Sequence, residues 1–103
     1  MDAFAALGAP ARRQILGELK RSPRSVNELV DALSVLQPAV SKHLKVLREA
    51  GFVSVRGEGQ QRIYQLEPAR FRELEAWLAP YRQLWTRHLD ALERHLDRKE
   101  KRR

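Results

Sequence analysis

The sequence predicts a mainly helical protein with one small β-hairpin. Amphipathic helical patterns run from Ala3 to Ala50 and again from Pro68 to about Lys99. Two short segments of alternating apolar and polar residues lie between them, Phe52 to Arg56 and Arg62 to Leu66. The loop that joins these segments, residues 57–61, carries two glycines, which is typical of a hairpin.

The helices have recognisable ends. A short apolar helix, residues 3–7, should stop near Gly8, and Pro10 suits the first turn of the second helix. Ser22-Pro23 breaks that second helix. Its apolar and basic residues fall on opposite faces: Ile15, Leu16 and Leu19 face inward, and Arg12, Arg13 and Lys20 face outward.

Two further helices follow with a tight turn between them. The segment from Ser25 to Glu28 is a capping box that begins the third helix. The fourth begins near Gln37-Pro38 and runs to Ala50, where Gly51 suits a left-handed position that ends it. The inward residues of the two helices are Val26, Leu29, Val30 and Leu33, then Val40, Leu44 and Leu47. The order of elements predicts a helix-turn-helix followed by a β-wing.

Composition narrows the classes of function. The chain has 103 residues, no cysteine and a formal net charge of +7. A balance this basic favours a polyanionic partner, and the lack of a long apolar run argues against a membrane span. No signal peptide is expected, and the absence of disulfides fits a reducing cytosol. The nucleophile and phosphate-loop motifs of common enzymes are also missing, so we predict no catalytic residues.

The fourth helix presents an outward face suited to DNA. Its outward residues are Gln37, Ser41, Lys42, Lys45 and Arg48, with His43 at the edge. Glutamine can pair with adenine, and lysine or arginine with guanine or phosphate. The hairpin adds Arg56, Gln60, Gln61 and Arg62 as further candidate DNA-binding residues. Two alternatives stay open at this point: a solvated amphipathic helix, and a polar loop that is glycine-rich only because turns need it.

The segment from Gln37 to Val53 resembles the reading-helix signature of the ArsR family of winged-helix repressors. The segments from Leu7 to Leu16, Glu28-Leu29 and Arg62 to Leu66 fit the same family in the same order. The resemblance covers about residues 3–67 and implies a prokaryotic, dimeric repressor of a palindromic operator. It implies that Gln37, Ser41, Lys42 and His43 face DNA, and that Lys45 and Arg62 contact phosphates.

The chain departs from the family pattern in two places. Leu36 replaces the serine that commonly precedes Gln-Pro and could cap the reading helix. Either Ser34 caps a shifted start, or Leu36 packs into the core. The third helix lacks the cysteine pair of metal-sensing members, which excludes a thiolate site there, so the chain is more similar to the branch without recognised metal ligands.

The last helix carries an apolar stripe too large for a small domain to bury alone. We predict that it pairs with a second copy, although folding back on its own core is an alternative. The expected interface comprises Phe4, Leu7, Leu78, Tyr81, Trp85, Leu89, Leu92 and Leu96. His88 and His95 edge this stripe, but their spacing does not reproduce the family's metal motif on this helix. We therefore predict no metal and no cofactor, with a metal-responsive repressor as an alternative.

The predicted organisation is one domain with three regions. Residues 1–67 form the winged helix-turn-helix, residues 68–99 the helical dimerisation region, and residues 100–103 a basic tail. The expected partners are double-stranded DNA and a second copy of the chain, with no membrane, in the prokaryotic cytoplasm at the nucleoid. A winged-helix protein-interaction module is the remaining alternative, and the sequence names no effector.

Overall fold

The computed structural model describes residues 2–101, and for the last two of these only the backbone. The helices are α1 (Ala3–Leu7), α2 (Pro10–Arg21), α3 (Val26–Leu33), α4 (Gln37–Glu49) and α5 (Pro68–Lys101). The strands are β1 (Arg24–Ser25), β2 (Val53–Glu58) and β3 (Gln61–Leu66). The predicted mainly helical fold with a β-hairpin is confirmed. For the predicted basic tail, residues 102 and 103 and all four side chains lie outside the described residues.

The chain divides into two compact units, Met1–Phe71 and Arg72–Arg103. The predicted boundary after residue 67 coincides with the start of α5, whereas the first unit extends to Phe71. The ring of Phe71 packs against that of Phe52, with centroids 5.0 Å apart. This contact holds the first turn of α5 in the first unit.

Apolar residues from four helices, the sheet and the connection between α4 and β2 form the core of the first unit. Its buried apolar residues are Ala6, Ile15, Leu19, Leu29, Val40, Leu44, Leu47, Ala50, Phe52, Val53 and Ile63. The inward face predicted for the fourth helix is therefore confirmed. Leu16, Val26, Val30 and Leu33, also predicted to face inward, are half-buried.

The sheet has three antiparallel strands in the order β1-β3-β2. The sequence reading missed β1, which has only two residues and pairs Ser25 with Ile63. It also made the hairpin loop too long. Glu58 pairs with Gln61, so the loop is only Gly59-Gln60, and Gly59 has the positive φ of 61° that such a tight turn favours.

The ends of α3 and α4 follow their local sequence. The Ser25 hydroxyl accepts from the Glu28 N–H at 3.2 Å, and the Glu28 carboxylate accepts from the Ser25 N–H at 3.1 Å, so the predicted capping box is present. At the end of α4, Gly51 has a φ of 85°. The Phe52 N–H donates to the Leu47 carbonyl at 3.0 Å, which is the 6→1 hydrogen bond of a Schellman motif. Both predicted boundaries are confirmed.

One residue of α2 differs from its predicted orientation. Arg12 was expected to face outward, but it is half-buried and binds the end of α1. Its guanidinium donates to the carbonyls of Ala6 at 2.6 Å and Ala5 at 3.0 Å. Arg13 donates to the Leu7 carbonyl at 2.9 Å. These cations donate to carbonyls at the C-terminal end of α1, where that of Ala5 also accepts from the Gly8 N–H, and so they fasten α1 to α2.

The last helix continues through Pro80 without a break. Proline removes one backbone hydrogen bond, but the residues on either side keep a helical pattern. No helix within residues 2–101 combines the length and the apolar character that crossing a bilayer requires.

Candidate nucleic-acid interface

The outward face of α4 forms one surface of exposed polar and cationic side chains. Burial of Val40, Leu44 and Leu47 fixes the rotation of the helix about its axis, which leaves the opposite side in solvent. The exposed residues on it are Gln37, Ser41, Lys42, Lys45 and Arg48. They match the outward set predicted from the sequence, apart from His43.

Most cations of this surface have no acidic partner. Within the described part of the chain, Lys42, Lys45, Arg48 and Arg62 form no ion pair. No acidic residue occurs from Gln37 to Arg48, so the positive charge of this helix face is not neutralised locally. Such a surface attracts polyanions from solution.

His43 lies at the edge of this surface and is half-buried. The Nη1 of Arg12 lies 3.4 Å from its Nδ1, and a guanidinium can only donate, so Nδ1 accepts and the proton of the neutral ring is on Nε2. Burial, followed by the charges of Arg12 and Lys42, lowers the pKa of His43 below its ordinary value of 6.5. The ring is therefore neutral near pH 7, and its position is set by α2.

The hairpin of β2 and β3 places three polar residues at its tip. Gln60, Gln61 and Arg62 are exposed there. Arg56, on the neighbouring strand, is also exposed, but it lies 3.6 Å from the Glu58 carboxylate. Arg62 thus offers a free charge at the tip, whereas the charge of Arg56 is partly compensated by its neighbour.

A cleft joins the hairpin tip to the beginnings of α3 and α4. It has a volume of about 170 Å³. Its lining residues are Ser25, Val26, Asn27, Gln37, Gln60, Gln61 and Arg62. Four of these were predicted to bind DNA, and the structure brings them together. The sequence analysis did not place Ser25, Val26 or Asn27 at this cleft, although the capping box marks them as the beginning of α3; of the three, only Asn27 is exposed.

The start of α4 resolves the question that Leu36 raised. Leu36 is the N-cap residue and provides no side-chain hydrogen bond. Ser34 does not cap α4; it ends α3 in the left-handed conformation, with a φ of 54°. Leu36 does not pack into the core either, because 78% of its surface is exposed. Both explanations predicted for this position are therefore wrong.

The second unit presents a long apolar stripe to solvent. Its exposed large hydrophobic residues are Trp77, Leu78, Tyr81, Leu84, Trp85, Leu89, Leu92 and Leu96. They include every residue of α5 that was predicted to form a dimer interface, together with Trp77 and Leu84. Within the stripe, the rings of Trp77 and Tyr81 stack with centroids 4.8 Å apart, and at its edge the ring of Trp85 stacks on that of His88 with centroids 5.7 Å apart. Phe4 is exposed and Leu7 half-buried in α1.

The histidines of α5 do not assemble a metal site in a single chain. Among the side chains described, no three histidine, aspartate or glutamate residues lie close enough to hold an ion together. His88 stacks on Trp85, and the sequence separation of seven places His95 about 10 Å further along the axis.

The buried face of α4, the preceding α3 and the adjacent hairpin define a winged helix-turn-helix. The chain belongs to the family of bacterial regulatory proteins described as the arsR family, whose model matches residues 9–55. The family predicted from the sequence is confirmed. Because this family consists of regulatory proteins, the prediction that the chain is not an enzyme is confirmed at the level of the family.

Relatives support this assignment over different lengths. The chain is 40% identical to the HTH-type transcriptional regulator Rv2034 of Mycobacterium tuberculosis, over 92% of this chain and 86% of that protein. It is 51% identical to the HTH-type transcriptional repressor SmtB of the same species, over 59% of this chain but only 45% of that protein. The chain thus spans less than half the length of SmtB.

Solved structures agree with the fold. The ArsR-like transcriptional regulator from Rhodococcus sp. RHA1 superposes with a TM-score of 0.71 at 32% identity, covering 88% of this chain and 86% of that one. The transcriptional repressor BigR from Xylella fastidiosa gives a TM-score of 0.63 at 32% identity, covering 76% and 77%.

Proposed function

We propose that the chain is a DNA-binding transcriptional repressor that acts as a homodimer on a palindromic operator. The observation that carries this proposal is the unneutralised basic face of α4 beside the tip of the hairpin. The names of two relatives, a transcriptional repressor and a transcriptional regulator, support the same class of function. Such a protein would act at the chromosome, in the prokaryotic cytoplasm.

Base reading is assigned to the N-terminal half of α4. Recognition helices contact base edges mainly through their first residues. Gln37 is exposed there and can form two hydrogen bonds with adenine, and Ser41 follows one turn later on the same face. His43, held by Arg12, is left with the Nε2–H as a donor and has a fixed ring position.

Phosphate contacts are assigned to the cations without acidic partners. Lys42, Lys45 and Arg48 flank the reading residues, and Arg62 extends the basic surface onto the hairpin. Contacts of this kind position the protein on the duplex and carry no sequence information directly. Arg56 is the weakest candidate of the set, because Glu58 lies beside it.

Dimer formation is assigned to the apolar stripe of α5. A palindromic operator requires two copies related by a two-fold axis, and the exposed stripe offers apolar surface that a second copy would bury. The predicted contributions of Phe4 and Leu7 from α1 remain part of this proposal.

The first test separates base reading from anchoring. An operator is selected from random duplexes, and its affinity is compared with that of a scrambled duplex over a range of salt concentrations. Gln37→Ala should weaken binding to the operator by about 1–3 kcal/mol, and this loss should come from reduced discrimination at particular base pairs. Binding to the scrambled duplex should not change. Arg62→Ala should weaken both duplexes alike and flatten the salt slope by about one unit for each subunit.

Gln83→Ala and Arg87→Ala serve as matched controls, since both residues are exposed on α5. They should leave both affinities unchanged. If Gln37→Ala weakened the operator and the scrambled duplex equally, the assignment of Gln37 to base reading would be wrong. If the chain bound every duplex no more tightly than an uncharged control protein does, the proposed function itself would be wrong. The alternative, a winged-helix protein-interaction module, would then be favoured.

A further inference from the structure

Leu36 carries an exposed apolar side chain at the beginning of the proposed reading helix. It has the highest exposure among the large hydrophobic residues described, 78%. As N-cap residue its side chain offers no acceptor to the backbone N–H groups of the first turn. The isolated chain therefore gains neither apolar burial nor a cap from this leucine, which points to a role in a bound state.

The backbone holds Leu36 in a defined position. Its carbonyl accepts from the N–H groups of Ala39 at 3.0 Å and Val40 at 3.1 Å. At the other end of the turn, the Ser34 N–H donates to the Val30 carbonyl at 2.9 Å. The turn between α3 and α4 is thus anchored on both sides, so the side chain is presented from a rigid site.

The surroundings of Leu36 indicate the chemistry of its partner. The adjacent exposed residues Ser34 and Gln37 are polar, and Pro38 is the only other exposed apolar residue from Ser34 to Arg48, so Leu36 is an isolated large apolar side chain beside the basic face of α4. A protein or lipid partner would require a wider apolar patch. A DNA major groove is polar and anionic, and it carries one kind of apolar group on its base edges, the 5-methyl group of thymine.

We propose that Leu36 is a specificity-determining residue that packs against a thymine 5-methyl group, next to the base pair read by Gln37. This inference rests on the proposed function. Leu36 immediately precedes Gln37, at the end of the helix that makes base contacts in helix-turn-helix proteins. Burial of the methyl group against the leucine would favour thymine over cytosine or uracil at that position.

The test removes the methyl group from the DNA and the leucine from the protein. In the selected operator, each symmetry-related pair of thymines is replaced in turn by deoxyuridine, which lacks only the methyl group. At one such pair the wild-type chain should lose about fourfold in affinity per methyl group, the equivalent of about 0.8 kcal/mol. Leu36→Ala should bind the thymine and uracil operators equally.

Leu36→Ser distinguishes readout from folding. Its hydroxyl can accept from the Ala39 N–H of the first turn, so its melting temperature should equal or exceed that of the wild type. It should nevertheless be as insensitive to the methyl group as Leu36→Ala. A lower melting temperature for Leu36→Ser would show that the leucine is structural and would overturn the proposal.

Two other outcomes would also overturn it. In the first, no replacement of thymine by deoxyuridine weakens the wild-type complex. In the second, the affinities of the wild type and of Leu36→Ala fall by the same factor at every replaced position. In both cases a selected operator still supports the proposed function, so only the role of Leu36 fails. If the selection yields no operator, the proposed function and this inference fail together.

Discussion

If the chain forms the proposed dimer, replacement of Trp85 by glutamate should convert it into a monomer. A tryptophan side chain buries about 150–250 Å² when fully covered. Trp85 is 62% exposed in the single chain. Roughly 100–150 Å² is thus available for burial, which at about 25 cal/mol per Å² gives about 2.5–4 kcal/mol per subunit. A two-fold interface contains two copies, so the dimer dissociation constant should rise by about three orders of magnitude or more.

The assay is sedimentation velocity at micromolar concentration. The wild type should sediment as a species of twice the monomer mass of 12.0 kDa, and Trp85→Glu as the monomer. Gln83→Glu is the matched control, because a separation of two residues places it on nearly the opposite side of α5. It adds the same charge and should remain dimeric. A monomeric wild type, or a dimeric Trp85→Glu, would refute the assignment of the stripe to self-association.

Three further predictions concern stability, pH and metals. Ser25→Ala removes the cap of α3 and should lower the free energy of unfolding, measured by thermal unfolding, by about 1 kcal/mol. Glu28→Gln keeps both bonds of the capping box and serves as the control. An unchanged melting temperature for Ser25→Ala would contradict the prediction. Because the pKa of His43 is lowered in the folded chain, the unfolded chain takes up the proton first as pH falls below 6.5, so stability should be full above that pH and decline below it. In denaturant titrations from pH 7 to 5, His43→Gln should reduce this decline and His88→Gln should not; equal declines would exclude His43 as the source. Chelation or added Zn²⁺ should leave operator affinity unchanged, since His88 and His95 are too far apart on one helix to share an ion; a tenfold change that is lost in His88→Ala would overturn that expectation.

The candidate site could be predicted in part because its signals are local. The outward face of α4 follows from the spacing of Val40, Leu44 and Leu47 alone, since burial of a stripe leaves the other side in solvent. The environment of His43 could not be predicted this way. Its contact is with Arg12, 31 residues earlier in the chain, and nothing in the periodicity of either helix pairs these two residues.

The sequence by itself determined the order of the helices, the start of α3, the end of α4 and the family. The capping box at Ser25 and the left-handed Gly51 act over three to six residues, so their hydrogen bonds are specified by neighbouring residues. Only the tertiary structure decided how remote segments meet. Strand β1 exists because Ser25 pairs with Ile63, and the cleft exists because that pairing brings the start of α3 to the hairpin tip. Leu36 is exposed in a turn that backbone bonds anchor at both ends, and apolar periodicity does not encode that exposure.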